Sequence, residues 1–340
     1  MESAMEEFFG GQSTIVLFIV LAGLVFVLAR AADLFVGKAV EISQSLGIPS
    51  MLIGATIVSL GTTLPEASVS VLAALNGNPG LALGNAVGSI ICDTGLILGL
   101  GALVAPLPLD RRIVNRQGWI QVGAGLLLVL FCLPYSHLNS IFARGGNLPQ
   151  WAGVILVVLL VVYFYWSYRF GIAAAEAQKP EGESKEILGV LIQDLLLMAF
   201  AVGLIFLSSK ILISCAEELA HRLRVPQSVI AASLVAFGTS LPELATVLTS
   251  IRKGQGGLAI GNVIGADILN VLFVAGSAAA VTRGGLSVPT DFFSVHFPVM
   301  LLVLVVFRIG IFLGKDSLQR WVGASLLGIY LVFLAVNYLL

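Results

Sequence analysis

The sequence predicts an all-α membrane protein: ten transmembrane helices forming two inverted five-helix repeats, with helices 2, 3, 7 and 8 broken. Three observations lead there. Only 11% of the 340 residues are charged and 58% are hydrophobic, with a mean hydropathy of +1.02, whereas a soluble domain carries about 25% charge. Apolar runs of about 20 residues, the length of a spanning helix, recur along the chain. One Gly/Pro-interrupted motif occurs twice, once in each half.

The composition also excludes other classes. Lys+Arg number 18 against 19 Asp+Glu, a net charge of -1, which leaves no basic face for nucleic acid. Three cysteines, Cys92, Cys132 and Cys215, lie in or beside apolar runs and do not make a disulfide framework. Met1–Gly11 carries Glu2, Glu6 and Glu7 without a base, unlike the positive start of a cleavable signal peptide.

Taken in order, the spans read as roughly 14–36, 51–76, 81–106, 118–135 and 151–170, then 188–215, 227–251, 257–281, 292–313 and 318–338. Runs such as Val154–Val162 and Leu301–Phe307 do not alternate apolar with polar residues, so helices are expected rather than barrel strands. The polar link Ala173–Glu186 reads as an exposed connector. It divides the chain into a first repeat, 1–172, a cytoplasmic connector, 173–187, and a second repeat, 188–340. Positive charge gathers in cytoplasmic loops. With both termini outside, all but five of the 18 Lys+Arg fall inside; the five are Arg144, Lys210, Arg222, Arg224 and Arg283. The expected setting is a multi-pass protein of a plasma (bacterial inner) membrane, with the lipid bilayer as its solvent.

The repeat is ungapped. Gly61-Thr62-Thr63-Leu64-Pro65-Glu66 matches Gly238-Thr239-Ser240-Leu241-Pro242-Glu243 at an offset of 177 residues. The same offset carries Pro49 onto Pro226, Gly80-Leu81-Ala82 onto Gly257-Leu258-Ala259, Gly84-Asn85 onto Gly261-Asn262, and Gly88 onto Gly265. Five spans per half is an odd number, so the halves are expected to lie in opposite orientations. Many secondary transporters share this plan and place their site near the midplane on discontinuous helices.

Glu66 and Glu243 fall mid-span, where a carboxylate costs a few kcal/mol or more and marks a functional site by default. Pro65 and Pro242 lack an N–H and clash with the carbonyl four residues back. The helix is expected to open there and free carbonyls near Gly61–Thr62 and Gly238–Thr239. Such carbonyls survive in a membrane only when buried in protein or lining a wet cavity. The hydroxyls of Thr62, Thr63, Thr239 and Ser240 add oxygens, or else back-bond within their own helices. Downstream, Ser89 and Asp93 share a helical face; their matches are Ala266 and Asn270. Gly84, Gly88, Gly261 and Gly265 are spaced for close helix approach, with Asn85 and Asn262 capping or bracing them. Asp267, opposite Ile90 in the first repeat, reads as structural or as rimming the site. An all-oxygen cluster with several carboxylates suits a hard cation, and Ca2+, with 6–8 oxygen ligands, better than Mg2+. Without His or Cys at the breaks, zinc and copper are disfavoured. No nucleophile–base pairing is visible in the repeats, so an enzyme is not expected.

The paired G-T-[ST]-L-P-E and G-N-x-x-G segments closely resemble the alpha-repeats of the calcium/cation antiporter superfamily, the sodium/calcium exchangers. The resemblance is strong over 49–106 and 226–283 and covers the ten-helix layout loosely. It implies that Glu66 and Glu243 are the central Ca2+ and Na+ ligands. It further implies oxygen from Thr62, Thr63, Thr239 and Ser240, from the carbonyls of Ser59 and Ala236, and from the side chains of Ser89, Asp93 and Asn270. Two features depart from the archaeal pattern. The Asn of the first repeat and the Asp of the second are exchanged, as Asp93 and Asn270, and Ala266 stands where many members have Ser. The function implied is secondary active exchange of Ca2+ for Na+ by alternating access at a midplane carboxylate site. The transported ions are the only small-molecule partners, with no organic cofactor, and protons compete at low pH. The alternatives are an H+- or K+-dependent Ca2+/cation exchanger and a passive cation channel.

Overall fold

A computed structural model describes residues 8–135, 141–176, 187–222, 236–314 and 316–339. Pro226, His137, most of the connector and the first part of the expected seventh span lie outside the described residues. The long helices are α1 (Thr14–Leu46), α2 (Ser50–Leu75), α3 (Pro79–Val104), α4 (Arg111–Cys132) and α5 (Gln150–Glu176), followed by α6 (Ile187–Arg222). Next come α7 in two pieces, Ala236–Thr239 and Leu241–Arg252, then α8 (Gly256–Val281), α9 (Phe292–Leu313) and α10 (Arg320–Leu339). Among the described residues, eight of these helices are long and apolar enough to cross a membrane. The other two are α4, whose apolar run is interrupted by Asn115, Arg116, Gln117 and Gln121, and α7, described only from Ala236.

Local chemistry sets the helix ends. Ser13 caps α1 by accepting from Val16 N at 3.3 Å, and Asn78 caps α3 by accepting from Leu81 N at 3.2 Å, with Pro79 in the first turn. Asp110 accepts from Arg112 N and Ile113 N at 3.1 and 3.2 Å. That cap starts α4 seven residues before the expected span at 118. The turns after α2 and α7 both use a left-handed glycine, Gly77 (φ 76°) and Gly254 (φ 71°), again 177 residues apart.

The irregular turns differ from expectation. In α7 the break falls at Ser240, just before Leu241 and Pro242. In α2 the backbone stays helical through Pro65, and the irregularity is a π turn at Gly54–Val58. A proline removes one donor, but its φ is already helical, so it need not interrupt the helix. π turns also occupy Cys92–Leu98 of α3 and Asn270–Ala275 of α8. Such turns are frequent at functional sites.

Two packing units emerge. α1 and α6 pair through Leu28, Ala31, Phe35 and Val36 against Met198, Ala201 and Ile205. The larger core joins α2–α5 with α7–α10, and α8 is almost wholly surrounded by protein. Its glycines meet α2 backbone to backbone. A Cβ on Gly265 would lie 2.6 Å from both Cα and O of Ala55, the close approach that small residues permit. Phe18, Phe26, Val158, Val161, Leu196, Phe200 and Val332 are exposed on the outer helices, a lipid-facing surface. Two short antiparallel ribbons close the ends of the core. Leu107–Pro108 pairs with Ser317–Leu318, and Gly146–Leu148 with Leu286–Val288. Each ribbon takes one strand from the first five helices and one from the last five.

Candidate functional site

The expected acids converge. Glu66 on α2, Asp93 on α3 and Glu243 on α7 are each 1% exposed, and their charges lie close enough to act on one another. Among the described residues no Lys or Arg pairs with them. Thr62, Thr63, Ser59, Ser89, Ser240 and Asn270 are buried around them. The Thr62 hydroxyl lies within reach of Glu243, and that of Ser240 beside Asp93. Asn270 Nδ2 donates to Asp93 Oδ2 at 3.5 Å, so the two repeat-related positions meet directly. Ala236 opens the helical turn that leads to Thr239.

A network spanning the two repeats holds this cluster. Thr62 Oγ1 donates to Asn262 Oδ1 at 3.4 Å, and Thr239 Oγ1 donates to Asn85 Oδ1 at 3.2 Å. The two bonds are related by the 177-residue offset, each running from a motif threonine to the opposite repeat's asparagine. Asn85 also donates to the Glu66 carbonyl at 3.1 Å and to Ser70 Oγ at 3.0 Å. The asparagines therefore brace the motif segments, across the two repeats and, for Asn85, within its own. Thr62 also back-bonds to Val58 O and Ser59 O, both at 3.3 Å. Behind α2, Tyr163 Oη donates to Ala55 O in the π turn at 2.7 Å.

Many oxygens here accept nothing. Among the described residues, both carboxylate oxygens of Glu66, Oε2 of Glu243, Oδ1 of Asp93 and Oδ1 of Asn270 are buried without a hydrogen-bond partner, as are the hydroxyls of Thr63, Ser89 and Ser240. Burial without a partner is costly for a polar group and far more so for a charge. Among the described residues no three His, Cys, Asp or Glu side chains are grouped tightly enough to hold a metal ion by themselves. Gly61, Thr62, Pro65, Val202, Ile205, Phe206 and Pro242 line a crevice beside the motif between α2, α6 and α7 that is too tight to admit water.

Asp267 departs from a rim position. It is 2% exposed, and its Oδ2 accepts from Thr94 Oγ1 and from Gln121 Nε2, the latter at 2.6 Å. Its donors lie on other helices, and Gln121 is 146 residues away, so spacing along the chain gave no sign of them.

A family model described as "Sodium/calcium exchanger protein" matches residues 16–169 and 194–339. The chain belongs to the sodium/calcium exchanger family. This is a family of membrane transporters rather than of enzymes, and the chain is an integral, multi-pass membrane protein. It is 32% identical over 330 residues to the inner membrane protein YrbG of Escherichia coli, covering 94% of this chain and 96% of that one. It is 28% identical over 353 residues to the sodium/calcium exchanger MaX1 of Methanosarcina acetivorans, covering 96% and 99%. Among solved structures, the sodium-calcium exchanger NCX_Mj soaked with 2.5 mM Na+ and 1 mM Sr2+ superposes with a TM-score of 0.77 at 25% identity, covering 95% of this chain and 99% of that one.

Proposed function

We propose that this protein is a secondary active antiporter that exchanges Ca2+ for Na+ by alternating access. The observation that carries the reading is the trio Glu66, Asp93 and Glu243, buried together and, among the described residues, without a countercharge and amid unpartnered oxygens. Three negative charges in a low-dielectric interior call for cations, and oxygen-only ligands suit Ca2+ and Na+. Both loads draw on overlapping oxygens, so they compete for one site and must be carried in turn. The ligands are Glu66, Glu243, Asp93 and Asn270, with oxygens from Thr62, Thr63, Thr239, Ser240 and Ser89 and the carbonyls of Ser59 and Ala236. MaX1 and NCX_Mj, each named for exchanging sodium and calcium, support the choice of ions.

The architecture proposed with it is ten spans as two inverted repeats, 1–172 and 188–340, both termini outside, in a plasma or bacterial inner membrane. The reciprocal Thr62–Asn262 and Thr239–Asn85 bonds support the repeat relation. So do the ribbons, which tie the link after α3 to that after α9, and the link after α4 to that after α8. In an inverted arrangement each such pair of links lies on one side of the membrane. The inner membrane location follows that of YrbG. The α1/α6 pair, which packs on α2, α7 and α8 beside the motif, is the element that moves across the core.

The test is calcium-45 uptake into proteoliposomes loaded in turn with Na+, K+ or H+. Uptake is expected only against an outward Na+ gradient, and Glu66→Gln or Glu243→Gln is expected to abolish it. Uptake indifferent to the counter-ion makes the protein a channel. Dependence on K+ or H+ instead makes it an exchanger of another coupling. Normal exchange by either glutamine variant removes the site.

A further inference from the structure

Asp267 remains unused by this mechanism. It sits on the protein-enclosed helix α8, yet its repeat-related position is Ile90, so it has no twin. Its Oδ2 is held by two donors, Thr94 on α3 and Gln121 on α4. Its Oδ1 is buried and, among the described residues, has no partner. One helical turn before Gln121, Gln117 lies on the same buried face of α4. It is 2% exposed, and its Oε1 also lacks a partner. Two unpartnered oxygens, one carboxylate and one amide, therefore lie on the packed helices α8 and α4, outside the duplicated cluster. Asp93 is near enough to feel the charge of Asp267, so Asp267 adjoins the central acids.

We propose that Asp267, Gln117, Gln121 and Thr94 form a separate monovalent-cation subsite beside the central one. Thr94 and Gln121 each donate to Oδ2 and fix the carboxylate, which leaves Oδ1 and Gln117 Oε1 for the ion. A single carboxylate matches a single positive charge. Ca2+ asks for 6–8 oxygens and has a richer set beside Glu66 and Glu243. Because Ile90 occupies the equivalent place, the subsite exists once and adds an odd cation to a site otherwise built in pairs. The proposal rests on the exchange reading for its transport consequence: this ion raises the number of Na+ that must bind per cycle.

The test uses the full chain as wild type, Asp267→Asn and Gln117→Leu. Two readouts are taken: calcium-45 uptake against internal Na+ in proteoliposomes, and the Na+-induced rise in melting temperature of purified protein without Ca2+. Asp267→Asn is expected to raise the Na+ half-saturation about tenfold, the scale of a lost charge-assisted contact. It is also expected to lower the Hill coefficient for Na+, and to shift the Ca2+ half-saturation much less. Gln117→Leu moves the Na+ values the same way by a smaller factor, and it carries the test if Asp267→Asn fails to fold. Asn mimics a protonated carboxyl, so an Asp267→Asn protein with unchanged Na+ behaviour reduces Asp267 to a neutral structural hydrogen-bonder and overturns the proposal. Equal shifts in Na+ and Ca2+ also overturn it, because they mark a residue that only positions the central acids. If wild-type uptake ignores Na+, the exchange reading falls while the melting readout still decides. A Na+-induced rise that needs about tenfold more Na+ in Asp267→Asn, or is lost there, sustains the subsite. A rise at unchanged Na+ in Asp267→Asn, or none in wild type, sinks it.

Discussion

Replacing Gly265 by alanine tests whether the α2–α8 contact sets the geometry of the site. The new methyl lies 2.6 Å from Ala55 Cα and Ala55 O and 2.5 Å from Ser59 Oγ. Carbon atoms pack at about 3.5–4.0 Å, so relief requires a shift of about 1 Å. The Ser59 hydroxyl can rotate away, but Ala55 is backbone and cannot, so α2 itself must retreat from α8. Overpacking of this kind costs about 1–3 kcal/mol. The retreat carries Ser59 and Thr62 with it, away from Asn262 and Glu243, and a 1 Å misplacement at a working site costs about 100-fold in rate. The assays are the melting temperature of the purified protein and the initial rate of calcium-45 uptake in proteoliposomes. Gly203→Ala on α6 is the control. Its Cβ meets nothing within 4 Å, and an alanine in a helix gains about 0.8–1.0 kcal/mol over glycine. Gly203→Ala is expected to melt no lower than wild type, whereas Gly265→Ala melts lower and loses most of its uptake. A Gly265→Ala protein with wild-type melting and uptake would refute the reasoning, because the helix contact would then have slack that the site does not sense.

Three further outcomes are expected. Asn85→Ala removes the donor to the Glu66 carbonyl and to Ser70 Oγ and one acceptor of the Thr239 hydroxyl, at a cost of about 1–3 kcal/mol; melting falls and the Ca2+ half-saturation in uptake rises. Tyr163→Phe leaves the Ala55 carbonyl of the π turn without its donor, and melting drops by an amount worth about 1 kcal/mol, read by thermal denaturation alongside wild type. Asp33→Asn cuts the ion pair from Arg252 that ties α1 to the end of α7. Such a partly exposed pair holds about 1 kcal/mol or less, so melting stays within error while the initial uptake rate changes, and an unchanged rate would mean that α1 does not move against α7.

The helices and the acids could be read from the sequence for one reason: both leave repeated marks along the chain. A spanning helix demands a long apolar run, and the duplicated motif points to Glu66 and Glu243, which the fold brings together with Asp93. Features decided by contact between distant segments left no such mark. The start of α4 at Arg111 depends on the cap at Asp110, which an apolar count starting at Gly118 overlooks. The irregular turn of α2 lies at Gly54–Val58 rather than at Pro65. There the backbone is shaped by its neighbour, with α8 packed against Gly54 and Tyr163 of α5 bonded to Ala55. The burial of Asp267 depends on Thr94 and Gln121, which no local spacing relates to it. The ribbons are two or three residues long, too short to show any periodicity.

Those ribbons have a consequence for how such a chain can be assembled. Each is a clasp whose two jaws come from different ends of the polypeptide, and one clasp sits at either end of the core. The leading five helices alone have no mate for Leu107–Pro108 or Gly146–Leu148, and the trailing five have none for their strands. A fragment of either kind leaves synthesis with open backbone edges and a naked glycine groove. It becomes a stable object only by finding its complement, whether that is the other half of the same chain or a second five-helix molecule.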